Sequence, residues 1–130
     1  MKESLQSISD FNPLVVKNNI QNWIDAVNNG DIKQLVSLYH DEADFIPTFS
    51  RDIKKGKKGA ESYFKEFLLK KPKCKLLENK VKKLADKTYY HIGNYKFTII
   101  NDSVEKVVDA RFTFIWNDDK IIQHHSSVMP

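Results

Sequence analysis

Apolar residues recur at helical spacing in the first half of the chain and alternate with polar residues in the second half. The first apolar stripe comprises Val16, Ile20, Trp23, Ile24 and Val27. A capping asparagine followed by proline, Asn12-Pro13, predicts where this helix begins. Gly30 predicts its end, because glycine readily takes the left-handed conformation that closes a helix.

Two shorter helices are predicted after the first. Asp31 caps the second helix, with Gln34 three residues on as a capping-box partner. The third helix runs from about Ala60 to Leu69 and is stopped by Pro72. Between these two helices, Ala43–Pro47 is predicted to be a short edge strand, because proline cannot donate to a strand ladder.

The second half of the chain predicts four strands: Lys75–Leu84, Lys87–Ile100, Val104–Trp116 and Ile121–Val128. Gly93 is predicted to mark a bulge in the second of them. Three helices followed by consecutive strands predict an α+β fold with an antiparallel sheet. Because a bulged sheet curves, helices laid across it would leave a hollow, which is the default ligand site.

Composition places this chain among soluble globular proteins. It has 130 residues, of which 41% are hydrophobic and 29% charged, and residues 13–130 are predicted to form a single domain after a flexible arm over residues 1–12. The single cysteine, Cys74, excludes an internal disulfide framework. No apolar run reaches the ~20 residues of a membrane span. The beginning of the chain lacks the apolar core of a signal peptide, so the cytoplasm is predicted, with a trimmed leader left open.

Charge adds little to the functional picture. The net charge is +4, and 12 of the 19 lysines lie between Lys54 and Lys83. Only two arginines are present, although arginine is the residue favoured for forked recognition of phosphates and bases. We therefore do not expect nucleic-acid binding. No glycine-rich dinucleotide loop is found, and no cofactor is predicted.

The last two predicted strands carry polar groups that a purely structural hairpin would not need. His124 and His125 are adjacent, so their side chains should point to opposite faces of the sheet, and which one faces the hollow is left open. They cannot readily share one metal ion, and no metal site is predicted. Arg111 is either half of a buried ion pair or a clamp for an anion or carbonyl group.

Further residues are predicted to line the hollow beside Arg111. Tyr89, His91 and Tyr95 share parity, so they lie on one face if Gly93 does not break the register. The predicted ligand-binding residues are Tyr39, Phe45, Phe49, His91, Tyr95, Arg111 and Ser126. If the protein is an enzyme, His125 or His124 is the candidate general base, because an imidazole titrates near neutrality.

Several segments resemble the nuclear transport factor 2-like superfamily, a cone of curved sheet and three helices. These segments are Trp23–Asp31, Leu35–Tyr39, Ala43–Pro47 and the helix that Gly59 leads with Tyr63-Phe64. More narrowly, Ala110–Trp116 and His124–Pro130 resemble small bacterial proteins related to the association domain of calcium/calmodulin-dependent protein kinase II. These overlap with sequences called SgcJ/EcaC or SnoaL-like. The resemblance implies three N-terminal helices packed on a curved antiparallel sheet that encloses a pocket.

What the resemblance implies for function is broad, because the superfamily includes isomerases, dehydratases, cyclases, transport factors and oligomerisation hubs. Its kinase-associated members assemble rings of dimers through the sheet and have a deep pocket that contains arginines. Tyr95 and Phe114 stand at positions that match two of those arginines, so the same anionic ligand is not expected.

Three hypotheses remain for the structure to weigh. The first is a homodimer through the open sheet face that binds a small, partly apolar, anionic or carbonyl-bearing molecule. The second is a lyase or isomerase that uses the pocket histidine. The third is an oligomerisation module, which a pocket closed by Phe112, Phe114 and Trp116 would favour.

Overall fold

The computed structural model describes residues 13–130. Its helices are α1 (Pro13–Asn28), α2 (Ile32–Ser37) and α3 (Gly56–Phe67), the last continued by a 3-10 turn over Leu68–Lys70. Its strands are β1 (Tyr39–Ile46), β2 (Lys54–Lys55), β3 (Lys73–Ala85), β4 (Thr88–Asn101), β5 (Val104–Asn117) and β6 (Lys120–Val128). The flexible arm predicted for residues 1–12, with the Asn12 cap, lies outside the described residues.

The helix ends follow the local sequence signals. Gly30 takes a φ of 64° after α1, which satisfies the end predicted there. The Asp31 side chain accepts a hydrogen bond from the backbone N–H of Gln34 at 3.1 Å, which confirms Asp31 as the cap of α2. α3 begins at Gly56, four residues before the predicted start, and Pro72 follows its 3-10 extension. The glycine is required because its φ is 64° and a β-carbon there would overlap the Asp41 carbonyl oxygen.

The sheet has six strands in the order β2-β1-β6-β5-β4-β3. All neighbouring pairs are antiparallel except β1 with β6, which is parallel. The α+β class and the four C-terminal strands are confirmed. The prediction of Ala43–Pro47 as an edge strand is wrong, because β1 is flanked by β2 and β6. Pro47 lies just beyond the end of β1, so its missing N–H does not interrupt the ladder.

The predicted bulge lies one strand away from Gly93. Leu76 pairs with Tyr95 and Asn79 with Gly93, so the extra residue is on β3. Gly93 faces that bulge, and a β-carbon at this position would overlap the Glu78 carbonyl oxygen. The pairing of β4 with β5 runs without a shift, so Tyr89, His91 and Tyr95 lie on one face of the sheet, as their parity predicts.

All three helices pack on one face of the sheet, which we call the inner face. Trp23 of α1 contacts the rings of Tyr95, Phe97 and Phe114. Phe64 of α3 packs on Tyr39 and Phe45. The opposite, outer face carries the alternate residues of each strand. Between residues 13 and 130, no helix is long and apolar enough to cross a membrane.

Candidate functional site

His124 lies at the centre of the inner face. In the sheet it pairs with Phe114 of β5 and with Phe45 of β1. Its ring stacks on both neighbours, with centroid distances of 3.9 Å to Phe114 and 4.8 Å to Phe45. Only 1% of its surface is exposed. His124 is therefore the C-terminal histidine that faces inward.

Two tyrosine hydroxyls engage both nitrogens of this buried ring. Tyr39 Oη lies 2.8 Å from His124 Nδ1, and Tyr95 Oη lies 3.2 Å from Nε2. Trp23 donates its indole N–H to Tyr39 Oη at 3.2 Å. Three elements, α1, β1 and β4, thus position the imidazole of β6. A polar ring in such an aromatic core is tolerated because each of its polar atoms has a partner.

The network continues from Tyr95 toward the rim of the sheet. Tyr95 donates its hydroxyl proton to Ser126 Oγ at 2.6 Å. Ser126 is in turn hydrogen-bonded to the hydroxyl of Thr48, in the loop that follows β1. Ser126 is buried, whereas Thr48 is half-exposed. The polar chain therefore connects the buried imidazole with the edge of the domain.

Burial sets the protonation states in this network. Desolvation lowers the pKa of His124 well below its usual value, and the neighbouring His125 lowers it further. Desolvation raises the pKa of Tyr39 and of Tyr95 well above the usual range. At neutral pH the site is therefore uncharged: a neutral imidazole sits between two protonated phenols. Such a group can accept or relay a proton but does not provide a fixed charge.

His91 forms a second, separate polar position on the inner face. The Asn79 amide donates to Leu77 O at 2.8 Å, which leaves its oxygen to accept from His91 Nε2, also at 2.8 Å. His91 Nδ1 is then the unprotonated nitrogen, and within residues 13–130 it has no hydrogen-bond partner. Burial lowers the pKa of His91 to about 4. Phe114 separates it from His124 in the sheet, so the two rings do not share one site.

The structure does not bring Arg111 and His125 to this site. Both are exposed on the outer face, where Arg111 pairs with Ser127 and His125 with Thr113. The two hypotheses for Arg111, a buried ion pair or a cavity clamp, both require an inward side chain. The alternation of β5 instead directs Phe112, Phe114 and Trp116 inward and Arg111 outward.

The remaining predicted site residues are divided between interior and rim. Tyr39, Phe45, Tyr95 and Ser126 converge on His124, as described above. Phe49 is 43% exposed at the rim and packs on Phe67 with ring centroids 5.9 Å apart. Over the described part of the chain, no group of three or more His, Cys, Asp or Glu residues is placed to hold a metal ion.

The hollow predicted over the curved sheet is filled by aromatic side chains. Phe112, Phe114 and Trp116 are all buried, as are Tyr39 and Tyr95 beside His124. Open space occurs at the rim instead, where one groove of about 420 Å³ is lined in part by Phe49, Val128 and Met129. Sequence reasoning missed Trp23 and Thr48 as polar partners. Trp23 was assigned to the apolar stripe of the first helix, where no polar contact was expected. Thr48 lies far from Ser126 in the sequence and is brought beside it by the fold.

The architecture is a nuclear transport factor 2-like fold, and solved structures of low sequence identity share it. An uncharacterised protein from Caulobacter vibrioides with a cystatin-like fold aligns with a TM-score of 0.75 at 13% identity, covering 89% of this chain and 88% of that one. SalBIII, an epoxide hydrolase/cyclase-like enzyme in pyran ring formation in salinomycin, aligns with a TM-score of 0.71 at 15% identity, covering 87% and 89%. At these identities the likeness shows the fold alone.

The particular family follows from the sequence match. Residues 15–130 match the calcium/calmodulin-dependent protein kinase II association domain, and the chain belongs to this family. A protein from Xanthomonas campestris described as such an association domain is 33% identical, with a TM-score of 0.82 and coverage of 88% of this chain and 86% of that one. No curated protein sequence matches the chain. The predicted cytoplasmic location stays a prediction.

Proposed function

We propose that this domain is a self-associating module that forms a homodimer through its outer sheet face. This proposal is supported by the composition of two neighbouring rows of paired residues that run across the strands on that face. One row contains Tyr90 beside Ile115, and the next contains Ile92 at one end and Ile46 at the other. All four side chains are half-buried within the sheet, and none of them faces the helices.

A broad sheet face with central aliphatic and aromatic side chains is the kind of surface that a second sheet covers. A two-fold dimer would use the same patch on both copies, which requires a self-complementary surface. Tyr90, Ile92 and Ile115 are neighbours on β4 and β5, with Lys80 and Lys82 beside them on the edge strand β3, whereas Ile46 lies across the sheet on β1. An apolar patch bordered by polar residues is the usual anatomy of a protein interface. The closed hollow also favours this module among the three hypotheses.

Sedimentation velocity over a concentration series tests this proposal directly. We expect a dimer at micromolar concentration that dissociates on dilution. A monomer at every concentration would count against the outer face as an interface. Hydrogen exchange locates the interface. Amides of the central strands should become more protected from exchange on association, and the exchange rates of the α1 amides should not change.

A second function is favoured by the polar network around His124, and we propose it alongside the first. The domain would bind a small, partly apolar molecule, and the imidazole would serve as a general base in a lyase or isomerase reaction. Burying an imidazole, two phenols and a serine in an aromatic core is costly unless all are hydrogen-bonded, and a simple hydrophobic core does not need them. This arrangement supports a chemical role for His124.

The enzyme hypothesis is tested by turnover on a panel of enolisable ketones and hydroxy compounds. We expect His124→Ala to lose activity and His125→Ala to retain it, because His125 lies on the other face of the same strand. If neither variant differs from the unaltered protein, the catalytic role is withdrawn. Loss of activity in the His125 variant alone would point to chemistry at the outer face instead.

A further inference from the structure

The strand β3 forms one open edge of the sheet. Among the described strands its 13 residues pair with β4 alone, so one row of backbone N–H and C=O groups faces away from the sheet. The first groups of this row already have a partner. The Asn28 side chain accepts from the N–H of Cys74 at 2.6 Å and donates to the Cys74 carbonyl oxygen at 3.2 Å. An added strand forms the same pair of hydrogen bonds, so Asn28 shows that Cys74 directs its backbone groups outward.

Strand alternation identifies the other outward-pointing groups of β3. Because Cys74 is opposite Phe97 but bonds away from it, Phe97 directs its own backbone groups toward β5. Every second residue of β4 does the same, since its pairing with β5 has no register shift. The residues of β3 opposite Gly93, His91 and Tyr89 are Asn79, Val81 and Lys83. Each of these three residues therefore presents one N–H and one C=O group to the open edge.

This edge is strongly basic. β3 contains five lysines and one glutamate, a balance of +4 within 13 residues. Lys80 and Lys82 are exposed on the outer face, and the half-buried Val81 lies between them on the inner face. None of the five lysines forms an ion pair within residues 13–130. Two copies of this strand would repel each other, whereas a strand with acidic side chains would be attracted to it.

We propose that the open edge of β3 binds an extended acidic segment of another protein, which adds as an antiparallel strand beside residues 79–83. The backbone of the segment bonds to the outward-pointing groups, and its side chains supply the specificity. An apolar residue lies beside Val81 on the inner face, and acidic residues lie beside Lys80 and Lys82 on the outer face. This interaction goes beyond the self-association proposed above, because it uses the backbone groups at the sheet edge rather than a face of the sheet.

The peptide acetyl-Glu-Glu-Val-Glu-Thr-amide is a suitable probe, because its valine aligns with Val81 when its first residue lies beside Lys83. Amide chemical shifts of the full chain, measured in a titration with this peptide, give the affinity and the location. We expect shifts at residues 79–83. N-methylation of the peptide valine should abolish binding, because its N–H bonds to Val81. N-methylation of the glutamate that follows is the matched control and should be tolerated, because that N–H points away from β3.

A second pair of measurements tests the charges. The uncharged peptide acetyl-Gln-Gln-Val-Gln-Thr-amide should bind about tenfold more weakly, as the loss of three exposed ion pairs predicts. Lys82→Glu should weaken binding of the acidic peptide. Lys65→Glu, at an exposed position on α3, is the matched control and should leave the affinity unchanged.

Three results of these titrations would overturn the inference. Equal binding of the two N-methylated peptides would mean that the peptide does not add as a strand. Equal binding of the glutamate and glutamine peptides would remove the role of the lysines. A titration without shifts at residues 79–83 would exclude this edge as the binding site.

Hydrogen exchange of the protein without peptide tests the edge itself. The amides of Val81 and Lys83 should exchange rapidly with solvent, and those of Lys80 and Lys82, which bond to β4, should exchange slowly. The reverse pattern would contradict the assignment of the outward-pointing groups. Protection of Val81 and Lys83 that increases with protein concentration would identify a second copy of this chain as the occupant and overturn the acidic partner.

Discussion

The two faces of this sheet are formed by the same strands but differ in the side chains that they present. His124 and His125 illustrate the contrast, because they are neighbours in sequence and lie in different surroundings. His124 is stacked between aromatic rings with both nitrogens hydrogen-bonded, whereas His125 is exposed beside Thr113. The inner face is dense and aromatic, and its polar atoms around His124 are hydrogen-bonded, whereas His91 Nδ1 has no partner within residues 13–130. The outer face carries Tyr90, Ile92 and Ile115 on β4 and β5 beside lysines of the edge strand β3.

This difference indicates which face of the sheet suits each proposed function. The polar atoms around His124 are already hydrogen-bonded to one another, so they have little capacity left to bind a protein partner. A face with half-buried aliphatic side chains still exposes apolar surface, and burying this surface against a second sheet is favourable by about 25 cal/mol per Å². We therefore assign the proposed self-association to the outer face and the proposed small-molecule chemistry to the inner face.

The largest expected effect compares Phe114 with its neighbour Ile115. Phe114→Ala should lower the free energy of unfolding by about 3–5 kcal/mol, because it leaves a cavity beneath Trp23 and His124. Ile115→Ala, one residue away on the outer face, should cost about 1 kcal/mol in the monomer. Urea unfolding at a concentration below the dimer dissociation constant measures both. Similar losses in the two variants would contradict the proposed division of the sheet.

The second prediction concerns the dimer. Ile92→Lys places an ammonium group in the apolar patch of the outer face beside Tyr90, and we expect it to weaken association by about 3 kcal/mol, or more than 100-fold. Leu69→Lys is the matched control, because Leu69 is exposed on the 3-10 turn away from the sheet. Analytical ultracentrifugation separates the two. An Ile92→Lys variant that dimerises like the control would exclude this face.

The third prediction uses the adjacent histidines themselves. His124→Phe preserves the stacked ring but removes the imidazole hydrogen bonds of the Tyr39 and Tyr95 hydroxyls, which should cost about 2 kcal/mol of unfolding free energy. His125→Phe should change stability by less than about 0.5 kcal/mol, as expected of an exposed position. Thermal unfolding at low protein concentration compares them. Equal stabilities would mean that the buried network contributes nothing to the fold.

Much of this contrast could be predicted from the sequence, and the exceptions have physical causes. Phe112, Phe114 and Trp116 share parity and are buried, so the same alternation directs Arg111 outward, although Arg111 was predicted to line the hollow. The histidines could not be assigned, because β6 contains a register shift. Ile115 pairs with Gln123 and Trp116 with Ile121, so one extra residue reverses the alternation before His124.

The position of β1 between two other strands could not be predicted from local sequence patterns either. Its parallel pairing with β6 joins residues that are far apart in sequence, such as Phe45 and His124. Hydrophobic periodicity reports which face of a strand is buried, not which strand lies beside it. For the same reason the Thr48 contact with Ser126, and hence the end of the hydrogen-bond chain, required the fold.

The smallest predicted effect is a pH dependence that arises from buried His91. Burial holds the pKa of His91 at about 4 in the folded chain, below its usual value of 6.5. The unfolded chain therefore binds the proton more readily, so the stabilising contribution of neutral His91 is complete above pH 6.5 and is lost as the pH falls toward 4. At pH 5.5 the loss from this residue should be about 1.4 kcal/mol.

Urea unfolding between pH 7 and pH 5.5 is the appropriate measurement, because most carboxylates remain ionised in that window. His91→Gln should remove about 1.2 kcal/mol of the decrease between pH 7 and pH 5.5, and the remainder should include His124, whose folded pKa is also lowered by burial. If His91→Gln left the pH dependence of stability unchanged, the protonation state assigned to this buried imidazole would be wrong.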